Sequence, residues 1–131
     1  MKKLAFFLIL FISSSHAYAE WKLVGSVNSP LVLDVYIKTD SIKRNGQIVT
    51  YWRLDNYAAI QSLDNINYSS TKTKYENNCR TEKARILQTL DYQEKMGAGR
   101  PNQLSQGNSP WDYLVPDSIG EIVHKFVCNG K

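Results

Sequence analysis

The chain has 131 residues, with 16 Lys and Arg against 12 Asp and Glu, and two cysteines. With Lys2 and Lys3 set aside as part of an N-terminal address, 14 basic side chains face 12 acidic ones. A net +2 spread along the chain excludes the clustered basic footprint of a nucleic-acid binder, and the length allows one modest core.

The address comes first. Lys2 and Lys3 form a positive n-region, residues 4–12 are an unbroken apolar run, Ser13-Ser14-Ser15 breaks it, and Ala17-Tyr18-Ala19 gives the small-x-small pattern of a signal-peptidase site. The alternative is an uncleaved anchor, but a spanning helix needs roughly 18 apolar residues and this run is half that. The expectation is therefore a cleaved signal peptide over 1–19 and one mature domain over 20–131, exported to the periplasm, the medium or the cell surface, with no membrane span after cleavage.

In chain order, residues 21–25 form a short strand candidate ended by Asn28-Ser29-Pro30, and residues 31–37 a second, rich in β-branched and aromatic side chains. Asn45-Gly46 predicts a type I′ hairpin, because both residues tolerate positive φ. The strand after it alternates: Ile48, Thr50, Trp52 and Leu54 share one face, Val49, Tyr51 and Arg53 the other. A polar connection follows. Residues 69–79 alternate again, with Thr71, Thr73, Tyr75 and Cys79 of one parity and Ser70, Lys72, Lys74 and Glu76 of the other.

Residues 81–92 fit a strand through Ala84, Ile86, Leu90 and Tyr92, with Gln88 out of place, although Ile86, Leu87 and Leu90 also suit a helix. Residues 97–101 and 103–110 read as loops. Gly97-Ala98-Gly99 lacks the further Gly or Lys-Ser/Thr of a phosphate loop. At the end of the chain, Ser118 and Glu121 match a capping box. Ile119, Ile122, Val123, Phe126 and Val127 then repeat with the spacing of one helix face, and Asn129-Gly130 supplies a stop.

Cys79 and Cys128 both survive processing. Two thiols in an exported chain pair because the compartment is oxidising. Closing a loop of about 50 residues is worth roughly 4 kcal/mol in the chain-entropy model. The fold class that follows is α+β: a mostly antiparallel sheet, a C-terminal helix packed across it, and one disulfide stapling the helix end to the sheet.

Chemistry is sparse. His124, the sole mature histidine, flanks the helix stripe and has no partner at motif spacing. Two isolated cysteines and one distant histidine do not make a zinc set, and no serine lies in a Gly-x-Ser-x-Gly elbow. No catalytic residue, metal ligand or cofactor is assigned. Trp21, Trp52, Trp111 and seven mature tyrosines are core or sheet-face residues, some of them exposed.

One charge cluster stands out. If 69–79 and 81–92 form a hairpin about 77–81, one register puts Lys72 opposite Arg85 and Lys74 opposite Lys83, with Arg80 at the turn. Like charges facing each other are mildly destabilising, so this basic face is a candidate for an anionic partner. The competing reading is a solvated face whose lysines discourage edge pairing.

Several segments together resemble the bacterial surface-adhesin protein E family. They are Trp21-Lys22-Leu23-Val24, Tyr36-Ile37-Lys38-Thr39-Asp40-Ser41-Ile42-Lys43-Arg44, the Trp52 strand, Tyr68-Ser69-Ser70, Lys74-Tyr75-Glu76-Asn77-Asn78-Cys79 and Trp111-Asp112-Tyr113-Leu114-Val115-Pro116-Asp117-Ser118, with a helix closing at Cys128. The resemblance implies an antiparallel sheet with a C-terminal helix and joined cysteines. It also implies noncatalytic adhesion to host matrix or serum proteins such as laminin, vitronectin and plasminogen, from an outer-membrane lipoprotein. This sequence departs from that pattern in having no cysteine at the end of the signal peptide. The alternative reading is a soluble periplasmic protein with an internal envelope partner, such as a stress factor or an enzyme inhibitor.

Overall fold

The structure, a computed structural model, describes residues 21–129. The predicted signal peptide and Gly130, expected to stop the helix, lie outside them. Eight strands form one antiparallel sheet: β1 (Trp21–Val27), β2 (Leu33–Lys38), β3 (Lys43–Asn45), β4 (Ile48–Leu63), β5 (Ile66–Asn78), β6 (Lys83–Tyr92), β7 (Pro101–Gln106) and β8 (Asp112–Tyr113). The main path runs β1-β2-β4-β5-β6-β7, with β3 on β4 and β8 on β6. Helix α1 (Ile119–Asn129) packs on β1 and β4, so the α+β architecture is as expected.

The core lies between α1 and one sheet face. β2 alternates cleanly, turning Leu33, Val35 and Ile37 inward, the period-2 pattern of a half-buried strand. Val49 and Tyr51 of β4 join them, and Val123 and Val127 of α1 close the cluster. Cys79 and Cys128 pack against it and are bonded to each other.

The helix begins as its sequence predicts. Ser118 Oγ accepts the Glu121 N–H at 3.3 Å, and Glu121 Oε2 accepts the Asp117 N–H at 2.8 Å. At the other end Arg44 of β3 donates to the Cys128 carbonyl at 3.0 Å, filling one of the carbonyls a helix leaves open. Ser118→Ala is expected to cost about 1 kcal/mol, read as a lower urea midpoint at unchanged m-value.

Four expectations are corrected. First, the β3–β4 turn is Gly46-Gln47, since Asn45 pairs with Ile48. Gly46 alone takes positive φ, at 60°, and glycine at the first turn position is the type II′ requirement, not type I′. Second, residues assigned to a polar connection form a second hairpin: β4 runs on to Leu63, and Asp64 (φ 50°) and Asn65 (φ 64°) make a two-residue turn into β5. Third, part of the 103–110 loop is edge strand β7, paired to β6 from Gln88–Gln106 to Tyr92–Pro101. Four of its six side chains are polar, and all but Gln103 are exposed.

The fourth correction concerns β5–β6. Lys74 lies opposite Gln88 but Tyr75 lies opposite Ile86, so Leu87 is the extra residue of a bulge. The bulge switches faces along β6. Ala84 and Ile86 share the helix side with Asn77 and Tyr75, whereas Gln88, Leu90 and Tyr92 share the other side with Lys74, Lys72 and Ser70. Gln88 is out of place only if the strand is regular.

Candidate functional site

The same register replaces the expected pairs of the basic cluster, while Lys72, Lys74, Lys83 and Arg85 stay on one sheet face. Lys72 is opposite Leu90, Lys74 opposite Gln88, and Arg85 opposite Glu76. Arg85 Nε donates to Glu76 Oε2 at 2.6 Å, and its guanidinium lies 4.6 Å from the Trp111 ring centre. Arg85 is therefore neutralised and covered. Lys83 sits 4.4 Å from the ring centre of Tyr113. Arg80 is exposed in the β5–β6 turn, where Asn78 Oδ1 accepts its N–H and that of Thr81. Arg85→Ala is expected to lower stability by freeing Glu76 and uncovering Trp111, with little effect on partner binding; comparing melting and binding of the one variant checks it.

Lys72 and Lys74 lie further along this face, on the side of the sheet away from α1. Trp21 pairs with Lys38 and Trp52 with Lys74. Ile37 lies opposite Arg53, so one residue on Lys38 comes beside Trp52. Four adjacent strands thus place Trp21, Lys38, Trp52 and Lys74 in one row across the sheet. Successive strands are ~4.8 Å apart, which puts the two tryptophan backbones ~10 Å apart.

Two shallow clefts flank this row and share Lys38 and Trp52. One, about 310 Å³, is lined by Trp21, Lys38, Trp52, Lys72 and Leu90. The other, about 250 Å³, is lined by Lys38, Asp40, Ser41, Lys43, Thr50, Trp52 and Lys74. Four lysines and one carboxylate line the pair. Asp40 reaches Lys38 at only 3.8 Å and is largely exposed, a pairing of little weight. The Lys72 ammonium lies 5.8 Å from the Trp21 ring centre and 4.7 Å from that of Tyr92, within cation–π range. Partial burial, and secondarily the charge of Lys38, push its pKa below the usual lysine value.

The far end of the face is built by the segment after β6. Ser70 Oγ donates to the Glu94 carbonyl at 2.6 Å and accepts the Gly97 N–H at 2.8 Å, while Asn56 Oδ1 accepts the Met96 N–H at 2.8 Å. Gly97, at φ +63°, lies so close to Lys72 that a Cβ there would strike the lysine stem. That contact holds Lys72 over the rings.

His124 is not the flank residue its position in the stripe suggests. It is buried, and its Nδ1 lies 3.0 Å from Asn77 Nδ2, whose own Oδ1 accepts the Tyr51 hydroxyl at 3.1 Å. The helix is rotated so that Ile122 is largely exposed while Val123, His124 and Val127 are buried. Desolvation pushes the His124 pKa below 6.5, against the opposing fields of Glu82 and Glu121. Among the described residues, no three His, Cys, Asp or Glu side chains converge to hold a metal, and no helix is long and apolar enough to cross a membrane.

No curated protein matches the chain. Crystal form II of Haemophilus influenzae protein E matches with a TM-score of 0.64 at 21% identity, covering 86% of this chain and 88% of that one. A second Haemophilus influenzae protein E structure gives 0.61 at 21% identity over 86% and 85%. Protein E from non-typeable Haemophilus influenzae gives 0.56 at 19% identity over 84% and 83%. At these identities the likeness carries the fold alone. The family model for surface-adhesin protein E matches residues 21–129, all the residues that the structure describes, and the chain belongs to that family.

Proposed function

We propose that this chain is an exported, noncatalytic binding protein of the adhesin kind, cleaved after Ala19, whose partner is a protein of the host matrix or serum. The family supports the adhesive role, and the open Trp–Lys face is the observation that gives it a surface. Aromatic rings set beside long cations are the residue types that carry binding energy at protein interfaces. His124, the one mature histidine, spends its Nδ1 on Asn77, which leaves it in a structural role.

The test is saturable binding of the exported, purified protein to immobilised laminin, vitronectin and plasminogen. Binding to at least one is expected, and Lys38→Glu with Lys74→Glu is expected to weaken it about tenfold or more while Arg80→Glu leaves it unchanged. No saturable binding to any of the three overturns the host-protein reading; a periplasmic partner captured by cross-linking instead would place the protein's work inside the envelope.

A further inference from the structure

The order of side chains across the sheet carries more than a general stickiness. Trp21, Lys38, Trp52 and Lys74 come from β1, β2, β4 and β5 in turn, so ring and cation alternate at each ~4.8 Å strand step. Each half of this motif recurs every second strand. A ligand complementary to it is linear, lies across the strands, and alternates a flat apolar face with a negative charge. Lys72 and Lys43 flank the row in the two adjoining clefts and extend the positive field along the ligand.

We infer that this row binds a linear acidic polysaccharide in which an uncharged sugar alternates with a uronate. The C–H face of a pyranose ring packs on an indole, and a uronate carboxylate pairs with an ammonium, so a disaccharide repeat presents both partners in the order the sheet offers. The clefts are shallow and open along the row, which suits a chain passing over the surface. An acidic peptide supplies the charges but no repeating flat faces. Single-stranded nucleic acid supplies both, so oligo-dT is the direct competitor that the experiment must separate from the polysaccharide. The inference deepens the adhesin reading and rests on it, since it assigns a ligand class to the same face.

The experiment is tryptophan-emission titration of the exported, purified protein with hyaluronan oligosaccharides. Polyglutamate, oligo-dT and neutral dextran are the comparison ligands. Saturable quenching or a blue shift with hyaluronan, weakened about thirtyfold in Trp52→Ala, is expected, corresponding to an aromatic hot spot. Lys38→Glu with Lys74→Glu is expected to abolish the response, while Arg80→Glu keeps it; thermal melts identify any variant that has simply unfolded. Equal binding of polyglutamate reduces the face to nonspecific charge and overturns the inference. Tighter binding of oligo-dT, or no response to hyaluronan, overturns it as well. Matrix-protein binding that persists without a glycan response removes only the glycan assignment, whereas loss of both removes the adhesin reading too.

Discussion

Replacing Cys79 and Cys128 together by serine is expected to destabilise the folded domain by about 4 kcal/mol, a drop in Tm of roughly 20 °C. The bond links positions 49 residues apart, so the unfolded chain loses a long loop's freedom when it forms. The effect is large here because of what the bond holds. Helix α1 has only 11 residues, too few to persist alone in water. Its deepest anchors are Val123 and Val127, against β1, β2 and β4. Cys79, whose N–H donates to the Gln47 carbonyl at 2.8 Å, fixes the sheet end of the staple. Reduction with thiol should reproduce the double mutant. A melting curve unchanged by either treatment would mean that the helix is held by its apolar face alone.

Asn77→Ala is expected to cost about 2–4 kcal/mol, from two stranded partners and a small cavity. Asn77 is fully buried, and it bridges the Tyr51 hydroxyl on β4 and the His124 ring on α1. With Oδ1 accepting from Tyr51, its Nδ2 donates, so His124 Nδ1 must accept and the ring must be neutral. Protonating His124 would set two N–H groups against each other. Stability then depends on pH with a definite sign. The folded pKa lies below that of the unfolded chain, so the unfolded state takes up the proton first. The contribution is whole above about pH 6.5, the usual unfolded value, and is lost as pH falls through the folded value. Urea midpoints at pH 7.5 and 5.5 measure it, and His124→Gln should flatten the difference. A midpoint that rises toward pH 5.5 in the unsubstituted protein would contradict a neutral, accepting ring.

Much of this fold was legible because its determinants are local or covalent. The alternation of Val49 and Tyr51, the Ser118 capping box and the pairing of Cys79 with Cys128 each need only a few residues to read. Register is different. The β5–β6 turn lies further along the chain than expected, which moves Arg85 from an imagined partner, Lys72, to a real one, Glu76; beyond that point Leu87 adds a bulge that no local preference in the sequence marks. The Asp64-Asn65 turn did carry a signal, since both residues tolerate positive φ, but the polar run around it hid two strand ends. His124 was misplaced because a stripe read from apolar residues alone puts Ile122 inside, whereas Asn77 gives the ring a polar berth. The Trp–Lys face shows the same division. Trp52 and Lys74 were each on strands with readable parity, yet Trp21 and Lys38 join them only through pairings across four strands. Their alternation is a property of the sheet, absent from any one segment.

The adhesin reading requires the protein to meet partners outside the cell. The most direct test is fractionation of cells expressing the full chain, combined with protease treatment of the intact cells and a blot for the shortened product. The account predicts a chain cleaved near Ala19 that is found in the medium or digested by protease added from outside. A protein that stays protected and leaves only on osmotic shock, or that remains full length in the cytoplasm, would contradict it.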